Sequence, residues 1–433
     1  MTDRTKAPAI KPFEGVRLDF PDTRYLSNGI PIQIINQGSD EVNRLSLYVR
    51  GGIVDEDYPL QSMLTSAILV DGSSDYTSSQ IAQCLDFNGA WKAVQSYDDW
   101  TEISFWSLNE HFDKTLDILS SCLKSPTFDA DVFGLLQRRH ASNSATQHKR
   151  GKYLASMALM NMLYGPNHPL SRDVTPDDIM KQTPSQARDF YLRFFKPCGM
   201  RIVLAGCVTD EMFSMTDAAL GAMHMDGTVP SLYDWSAYRP PESSQLVIVD
   251  KPDAVQASIA MAIPAIKRQH PDYIKLRVLI TLLGGYFGSR LMSNVREDKG
   301  YTYGISAMLA GRKQSGYIGI STECELVHTK PLIDEVKHEM RRLREELVSE
   351  AELGIVRQNM ISDLVKTLDT PFNVATYVAS TITFGVYPEY FNEQVEQIMA
   401  ITPVDVQLMA QRYLNDDKLL TAIAAPKDSI NLE

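Results

Sequence analysis

Two side chains that could act on a carbonyl group lie seven positions apart in the second half of the sequence. Arg296 is predicted near the end of a helix, Gly300 suits the left-handed residue after that helix, and Tyr303 lies in the following strand. Because side chains alternate along a strand, Tyr301 and Tyr303 are predicted to share one face, and Arg296 and Tyr303 to point into a common space. By spacing alone, such a pair is more often a surface arginine and a packed tyrosine.

The pair lies within a longer ordered segment. Residues 283–291 read LGGYFGSRL, and residues 294–304 read NVREDKGYTYG. A phosphate-binding loop is a weak alternative for these glycines, because no Gly-Lys-Ser/Thr follows them. The segment resembles the second-domain signature of pitrilysin-type (insulinase-like) zinc peptidases and of their mitochondrial processing relatives. That signature has a glycine-rich bend, a short helix with Ser-Arg-Leu, and an Arg-Glu run that leads into a tyrosine-containing strand.

The resemblance covers the chain from about Leu26 to about Ala424 and includes the turn at 165–170, GPNHPL. It implies a zinc-less subunit of the small two-domain bacterial type. It also implies that Arg296 and Tyr303 face an active chamber and contact the substrate backbone near the scissile bond. On this basis the resemblance favours Tyr303 over its neighbour two residues earlier.

The resemblance further implies which residues an active member would need in its first domain. There, H-x-x-E-H on a helix supplies two histidines that hold zinc and a glutamate that polarises the attacking water. Counted back from Gly72-Ser73, the motif positions fall on 63–67, which read MLTSA. A further zinc-binding glutamate would lie near Asn143, but residues 132–172 contain no Asp or Glu, and no histidine precedes His111. We therefore expect no metal ion and no cofactor on this chain.

The other histidines offer no evident replacement for the zinc ligands. Glu335 and His338 share one helical face and are interpreted as a solvated ion pair. His140 and His148 lie among arginines and lysines whose field repels a divalent cation, so we interpret them as part of a basic helix surface. His168 is interpreted as a turn residue.

An internal repeat organises the sequence. Each half carries a Thr-Pro helix start, an aromatic residue eleven positions later and then an apolar strand: Thr183, Phe194 and 200–205 in the first half, Thr402, Tyr413 and 419–424 in the second. Threonine is a favoured N-cap and proline a favoured first helical residue. The offset between the two copies is 219 residues at every one of these features, which indicates a duplication.

Strands come early and helices come late in each half. Predicted strands cover 32–35, 45–49, 91–95, 101–106, 245–249, 257–263, 301–307 and 316–321, and predicted helices cover 60–69, 112–164, 273–283 and 331–347. A capping box is predicted at 349–352, which reads SEAE. The pattern predicts an α+β fold of two tandem homologous domains, each an antiparallel-rich sheet covered on one face by helices.

The predicted N-terminal domain, 1–230, carries the degenerate zinc site, and the predicted C-terminal domain, 240–433, carries the Arg/Tyr motif. A polar linker that contains Pro240-Pro241 runs between them, from Asp226 to Ser244.

Composition restricts the partners and the compartment. The 433 residues carry a formal net charge of −12, so nucleic acid is not expected as a partner. The 5 cysteines form no C-x-x-C pair and are predicted to be buried or half-buried thiols in a reducing compartment. The N-terminal residues are charged with no apolar segment behind them, and no apolar run is long enough to span a bilayer. We therefore expect a cytoplasmic protein with no membrane partner.

The resemblance leads to one principal functional hypothesis and two alternatives. The chain is predicted to be the non-catalytic, substrate-binding subunit of a heterodimeric zinc metallopeptidase, inactive alone. Its partner would be a homologous H-x-x-E-H subunit that holds the zinc, and Arg296 and Tyr303 would contact the peptide in trans. The first alternative is a non-enzymatic scaffold or a homodimeric peptide-binding protein. The second is an active zinc enzyme with unfamiliar ligands.

Overall fold

The computed structural model describes residues 15–224, 227–230, 233–235 and 244–430. The charged residues at the N-terminus and most of the predicted linker, including Pro240-Pro241, lie outside the described residues. Within these ranges the chain forms two β-sheets with helices packed on them. None of the helices in these ranges is both long and apolar enough to cross a membrane.

The first half contains a six-stranded sheet and eight α-helices among the described residues. Its strands are β1 (Thr23–Tyr25), β2 (Pro31–Asn36), β3 (Val42–Arg50), β4 (Trp91–Ser96), β5 (Trp100–Leu108) and β6 (Met200–Gly206). Its helices are α1 (Gln61–Leu69), α2 (Ser78–Phe87), α3 (Phe112–Lys124), α4 (Ala130–Gln147), α5 (Gly151–Tyr164), α6 (Pro176–Met180), α7 (Pro184–Phe194) and α8 (Asp210–Leu220).

The described part of the second half contains a five-stranded sheet and six α-helices. Its strands are β7 (Leu246–Asp250), β8 (Gln256–Ala265), β9 (Thr302–Gly311), β10 (Gly316–Glu325) and β11 (Leu420–Ala425). Its helices are α9 (Tyr273–Ile280), α10 (Thr329–Glu345), α11 (Glu350–Lys366), α12 (Pro371–Phe384), α13 (Tyr390–Ala400) and α14 (Pro403–Tyr413). Two π-helical segments, Thr281–Gly285 and Met292–Asp298, lie between α9 and β9.

The two sheets have matching topologies, which confirms the predicted duplication and the α+β class. The strand orders are β1-β2-β6-β3-β5-β4 and β7-β11-β8-β10-β9. Only β2–β6 and β7–β11 pair in parallel among the described strands, so both sheets are antiparallel-rich. The strands β6 and β11, which carry the 219-residue repeat, occupy equivalent positions, and β4 and β9 form equivalent edges.

Helix caps at equivalent places support the repeat at the level of single hydrogen bonds. The Thr183 hydroxyl accepts from the Gln186 N–H at 3.4 Å, and the Gln186 side chain accepts from the Thr183 N–H at 2.8 Å. Thr402 forms the same reciprocal box with Asp405. Each box satisfies two backbone donors that would otherwise lack partners at the helix start.

The capping box predicted at 349–352 is only half formed. The Ser349 hydroxyl accepts from the Glu352 N–H at 3.1 Å, as predicted. The Glu352 carboxylate, however, binds the Arg290 guanidinium through two hydrogen bonds of 2.8 and 3.0 Å. A bidentate bond to a charged partner is stronger than one to a backbone amide, so the ion pair takes the carboxylate away from the cap.

One helix of each half packs on the sheet of the other half, which was not predicted from the sequence. Helix α5 of the first half packs on β8 and β11, where Leu159 lies in one buried cluster with Ala260, Ala262, Ala422 and Ala424. In the reverse direction, α12 of the second half packs on β2 and β6, where Val378 shares a buried cluster with Ile35 and Val203. The small alanines on the second sheet let a helix approach closely.

The cysteines are free thiols. Cys122 and Cys324 are buried, and burial raises the pKa of each thiol to about 11, so neither is a ready nucleophile. Cys84 and Cys207 are partly buried, as predicted. Cys198 is exposed, which corrects the prediction for that residue.

Candidate functional site

The helix that carries Arg296 is a short π-helix over Met292–Asp298. Its wide turn is closed by a hydrogen bond of 3.0 Å from the Lys299 N–H to the Asn294 carbonyl, five residues back. Gly300 follows with a φ of +68°, the left-handed conformation that glycine adopts without strain. The predicted helix end and the predicted role of Gly300 are therefore confirmed. Short π-helices occur frequently at functional sites.

Partly buried polar contacts fix this helix on the side that faces α10. The Asn294 side chain donates to Glu339 at 2.7 Å and to Glu335 at 3.0 Å, both on α10. The Arg290–Glu352 pair ties the preceding turn to α11. Charged contacts of this kind are strong when they are shielded from water. They hold the backbone of the helix while the Arg296 side chain remains outside the network.

A β-bulge separates the environments of the two tyrosines that follow. Tyr303 and Gly304 on β9 lie opposite the single residue Glu323 on β10, which interrupts strand alternation. Tyr301 is half-buried and stacks on His328, with ring centroids 4.6 Å apart. The side chain of Tyr303 is 95% exposed. The two tyrosines were predicted to share one face of the strand, but their surroundings differ. Tyr303 is the accessible tyrosine of the two.

Arg296 and Tyr303 do point into a common space, as predicted. The Arg296 guanidinium carbon lies 5.9 Å from the centre of the Tyr303 ring. Within the part of the chain that the structure describes, Arg296 forms no ion pair and the Tyr303 hydroxyl has no hydrogen-bond partner. Both groups are hydrogen-bond donors, so together they offer unsatisfied donors to an incoming acceptor such as a peptide carbonyl.

Phe287 completes this cluster and was missed by sequence reasoning. Its ring lies 4.7 Å from the Arg296 guanidinium carbon and is 63% exposed. A guanidinium on an aromatic face is held by cation–π attraction, which restricts the positions that it can take. The available signal was the aromatic pair Tyr286-Phe287 between the glycines of the bend.

The positions at which the resemblance places the zinc ligands in the first half are used for internal packing. On α1, Leu64 and Ala67 are buried in the core, the Thr65 hydroxyl donates to the Ala187 carbonyl at 3.3 Å, and the Ser66 hydroxyl donates to the Ser62 carbonyl at 2.8 Å.

On α4, Asn143 is exposed. In the described ranges, no group of three or more His, Cys, Asp or Glu residues could hold a metal ion. A donor set of methionine, hydroxyls and alanine does not fit zinc.

One carboxylate beside this region was not identified from the sequence. Glu56 is buried and accepts from the Leu60 N–H at 3.1 Å and from the Ser62 N–H at 2.9 Å, at the start of α1. Burial raises the pKa of Glu56 to about 7. The Glu56 carboxylate thus caps the start of α1. Leu60, between Glu56 and the helix, has a left-handed φ of 66°.

The histidines have more specific surroundings than predicted. The His148 Nε2–H donates to the Asp173 carboxylate at 2.9 Å. Burial lowers the pKa of His148, but hydrogen bonds to the Ser144 carbonyl and to Asp173 raise it overall. The surface there is therefore not simply basic. His168 lies in a turn, as predicted, but it is 4% exposed and its Nδ1 accepts from the Leu170 N–H.

The predicted Glu335–His338 ion pair is wrong. Glu335 pairs with Lys299 at 3.5 Å and accepts from Asn294, and no ion pair with His338 occurs among the described residues.

Comparisons with known proteins agree with the fold and with the signature. Residues 181–360 match the family described as peptidase M16 inactive domain, and this match contains both Arg296 and Tyr303. The chain is 20% identical over 402 residues to the Bacillus subtilis protein named uncharacterized zinc protease YmxG, covering 92% of this chain and 96% of that protein.

A Helicobacter pylori protein named non-peptidase homolog YmxG is 24% identical over 267 residues, which cover 60% of each chain. The solved structure of a peptidase M16 inactive domain from Pseudomonas fluorescens superposes with a TM-score of 0.85 at 21% identity, over 95% of this chain and 99% of that one. The resemblance to pitrilysin-type peptidases is thus confirmed. The names of the relatives differ on peptidase activity, so the chemistry has to be argued from the site.

Proposed function

Because residues 181–360 belong to the peptidase M16 inactive-domain family, we propose that this chain is the non-catalytic, substrate-binding subunit of a two-chain zinc peptidase that acts on peptides. The partner would be a homologous subunit that carries H-x-x-E-H and holds the zinc. The observation that supports this role best is an Arg296 guanidinium without an ion pair in the described structure, next to the 95% exposed Tyr303. We also propose a cytoplasmic location.

Each of the two residues has a separate task in this proposal. The planar Arg296 guanidinium donates hydrogen bonds to backbone carbonyls of an extended peptide, and the Phe287 ring limits its orientations. The Tyr303 hydroxyl donates to the carbonyl oxygen of the bond being cleaved, where negative charge grows as water attacks. A positioned donor of this kind contributes about 3 kcal/mol to lowering the barrier.

The proposal is tested by mixing this chain with an H-x-x-E-H partner and measuring peptide cleavage. Tyr303→Phe removes one hydroxyl and is expected to lower kcat about a hundredfold, because the donor acts mainly in the transition state. Arg296→Ala is expected to lower kcat/KM and to raise KM, because it removes contacts to the bound peptide. Tyr301→Phe is the matched control, since its ring stacks on His328 and its loss of one hydroxyl leaves that stack intact.

Two outcomes contradict the proposal. Cleavage that is unchanged in both Arg296→Ala and Tyr303→Phe would show that neither residue contacts the substrate. Zinc that co-purifies tightly and stoichiometrically with this chain alone would contradict a site held only by the partner. A stable homodimer that gives no cleavage with any H-x-x-E-H homologue would favour the scaffold or peptide-binding alternative.

A further inference from the structure

A cavity of about 370 Å³ lies where the two halves meet. The second half contributes Met308 and Ala310 of β9 and Thr383 and Phe384 of α12, and the first half contributes Trp100 at the start of β5. Most of the exposed lining belongs to apolar atoms. A cavity of this size with apolar walls is typical of sites for compact organic groups. We refer to it as the junction cavity.

Trp100 forms part of the wall of the junction cavity. The residue is 5% exposed, and among the described residues no acceptor lies within hydrogen-bond distance of its Nε1. Because the Nε1 atom itself has almost no accessible surface, we assign the indole only an apolar contact with an occupant of the cavity.

The charged groups at the rim are already paired. Asp98 binds Arg312, and Asp99 binds Lys313 at 3.2 Å. Each of the two rim carboxylates therefore has a cationic partner within this chain.

Strand β9 connects the junction cavity to the Arg/Tyr cluster. Met308 lies five positions after Tyr303 on the same strand and is 56% exposed, so the cavity opens next to an accessible residue. Strand residues rise by about 3.3 Å each, which places Met308 about 17 Å from Tyr303. An extended peptide covers that distance with about five residues.

We propose that the junction cavity binds a large apolar side chain of the peptide, about five residues from the bond held at Tyr303. The inference rests on the proposed function and adds a specificity determinant to it. The apolar walls, which include the Trp100 ring, bury the side chain. Peptides with a phenylalanine or leucine at that distance are preferred over peptides with alanine.

The first test measures binding to this chain without a partner. Fluorescein-labelled alanine-rich peptides with and without one phenylalanine are titrated against the full chain by fluorescence polarisation. The phenylalanine peptide is expected to bind about tenfold more tightly, because its side chain leaves water for an apolar cavity. Thr383→Phe fills the cavity and is expected to remove that difference.

The matched control is Ser362→Phe, which places the same ring on an exposed face of α11 and also replaces a hydroxyl bonded to a helix carbonyl. It is expected to keep the preference. Met308→Lys is a second variant at an exposed position that does not depend on repacking the core, and it is expected to weaken the preference through a charge at the mouth. Equal binding of the two peptides, or a preference that survives in both Thr383→Phe and Met308→Lys, overturns the inference.

Two further arms separate the inference from its alternatives. If N-acetyl-phenylalanine amide binds in a Thr383-dependent manner while the phenylalanine peptide shows no preference, the cavity serves a free small ligand and the inference is overturned. A further outcome concerns cleavage in the presence of the H-x-x-E-H partner. If cleavage depends on Arg296 but not on the position of the phenylalanine, the proposed role of the junction cavity is contradicted and the proposed peptidase role is not. If the phenylalanine peptide binds more tightly in a Thr383-dependent manner but the mixture cleaves no peptide, the proposed role of the junction cavity is supported and only the peptidase role is contradicted.

Discussion

Glu56 makes the stability of the first half depend on pH. Burial raises the pKa of its carboxyl from the ordinary 4.5 to about 7. The folded chain therefore holds a proton that the unfolded chain has lost at intermediate pH. The stability from Glu56 is fully present below pH 4.5 and is lost as the pH rises through about 7. The loss is roughly 3 kcal/mol.

This gives a prediction for Glu56→Gln. Glu56 lowers the native free energy of unfolding between about pH 5 and about pH 8, and the variant is expected to lose this contribution because an amide does not titrate. Burial raises the pKa of Asp55 to about 6 and lowers the pKa of His168 to about 4, but both groups titrate in both proteins, so the difference between native chain and variant reports Glu56. Urea unfolding at both pH values measures it. Glu110→Gln is the control, since its carboxylate is 70% exposed. If the free energy of unfolding of Glu56→Gln depends on pH as that of the native chain does, the raised pKa of the buried Glu56 carboxyl is contradicted.

For single residues, the sequence shows the type of each side chain but does not predict all of its contacts in the fold. Ligation is a property of the side chain, so the sequence alone shows that positions 63–67 contain no suitable zinc donor. The bulge at Tyr303 was not readable, because it depends on how β9 is paired with β10. The cap supplied by Glu56 was also hidden, since it needs the unusual left-handed backbone at Leu60.

At the scale of elements, the contact of α5 with the second sheet depends on one glycine. Gly151 is the first residue of α5, and a Cβ at that position would lie 2.4 Å from the Ser258 Oγ on β8. Ser258 also bonds to Glu323 at 2.9 Å, so its hydroxyl is not free to turn away without loss. An added methyl group here forces the helix from the sheet or breaks that bond.

We therefore predict that Gly151→Ala destabilises the chain by about 1–3 kcal/mol, the usual cost of overpacking. Gly354→Ala on α11 is the matched control, because nothing lies within 4 Å of a Cβ there. That control is expected to stabilise by up to about 1 kcal/mol, as alanine does in a helix. Urea unfolding measures both variants.

The double variant Gly151→Ala/Ser258→Gly removes the clashing atom and should be less destabilised than the two single changes added together. If the free-energy changes of the two single variants simply add up in the double variant, α5 does not pack on β8 through Gly151 and Ser258.

The elements themselves were largely predictable, whereas their partners were not. Thr-Pro caps and alternating apolar residues are local signals, and they located every described strand except β1 and the starts of α7 and α14. The stretch predicted as helical over 112–164 divides into α3, α4 and α5. Nothing local distinguishes a helix that covers its own sheet from one that covers its neighbour's, so the exchange of α5 and α12 could not be inferred. The π-helix over Met292–Asp298 was likewise unpredicted, because its width is set by contacts to α10 and α11.

At the scale of the whole molecule, contacts between the halves occur at several separate places. Besides the exchanged helices, hydrogen bonds or ion pairs join Asp98 to Arg312, Asp99 to Lys313, Arg44 to Thr376, Leu18 to Asn392 and Tyr164 to Ser315. A hinge between the halves would have to break most of these together. We infer that the two halves of this chain move as one body.

The Asp98–Arg312 pair tests that inference. Both side chains are about three-quarters buried, so Asp98→Ala leaves the Arg312 charge without its partner in a poorly hydrated place. We expect a loss of about 2–3 kcal/mol, somewhat below the cost of breaking a fully buried pair. The double variant Asp98→Ala/Arg312→Met should recover part of it, because no unpaired charge remains. Asp334→Ala breaks the exposed pair with Lys330 and is expected to cost under about 1 kcal/mol.

Urea unfolding measures the stability of these variants, and small-angle X-ray scattering measures whether the halves separate. A single cooperative transition is expected for the native chain, because each sheet is covered in part by a helix of the other half and cannot lose it alone. Asp98→Ala should lower the midpoint without splitting the transition or increasing the radius of gyration. Two resolved transitions in the native chain, or an expanded Asp98→Ala, would instead mean that the halves are separate bodies joined by surface charges.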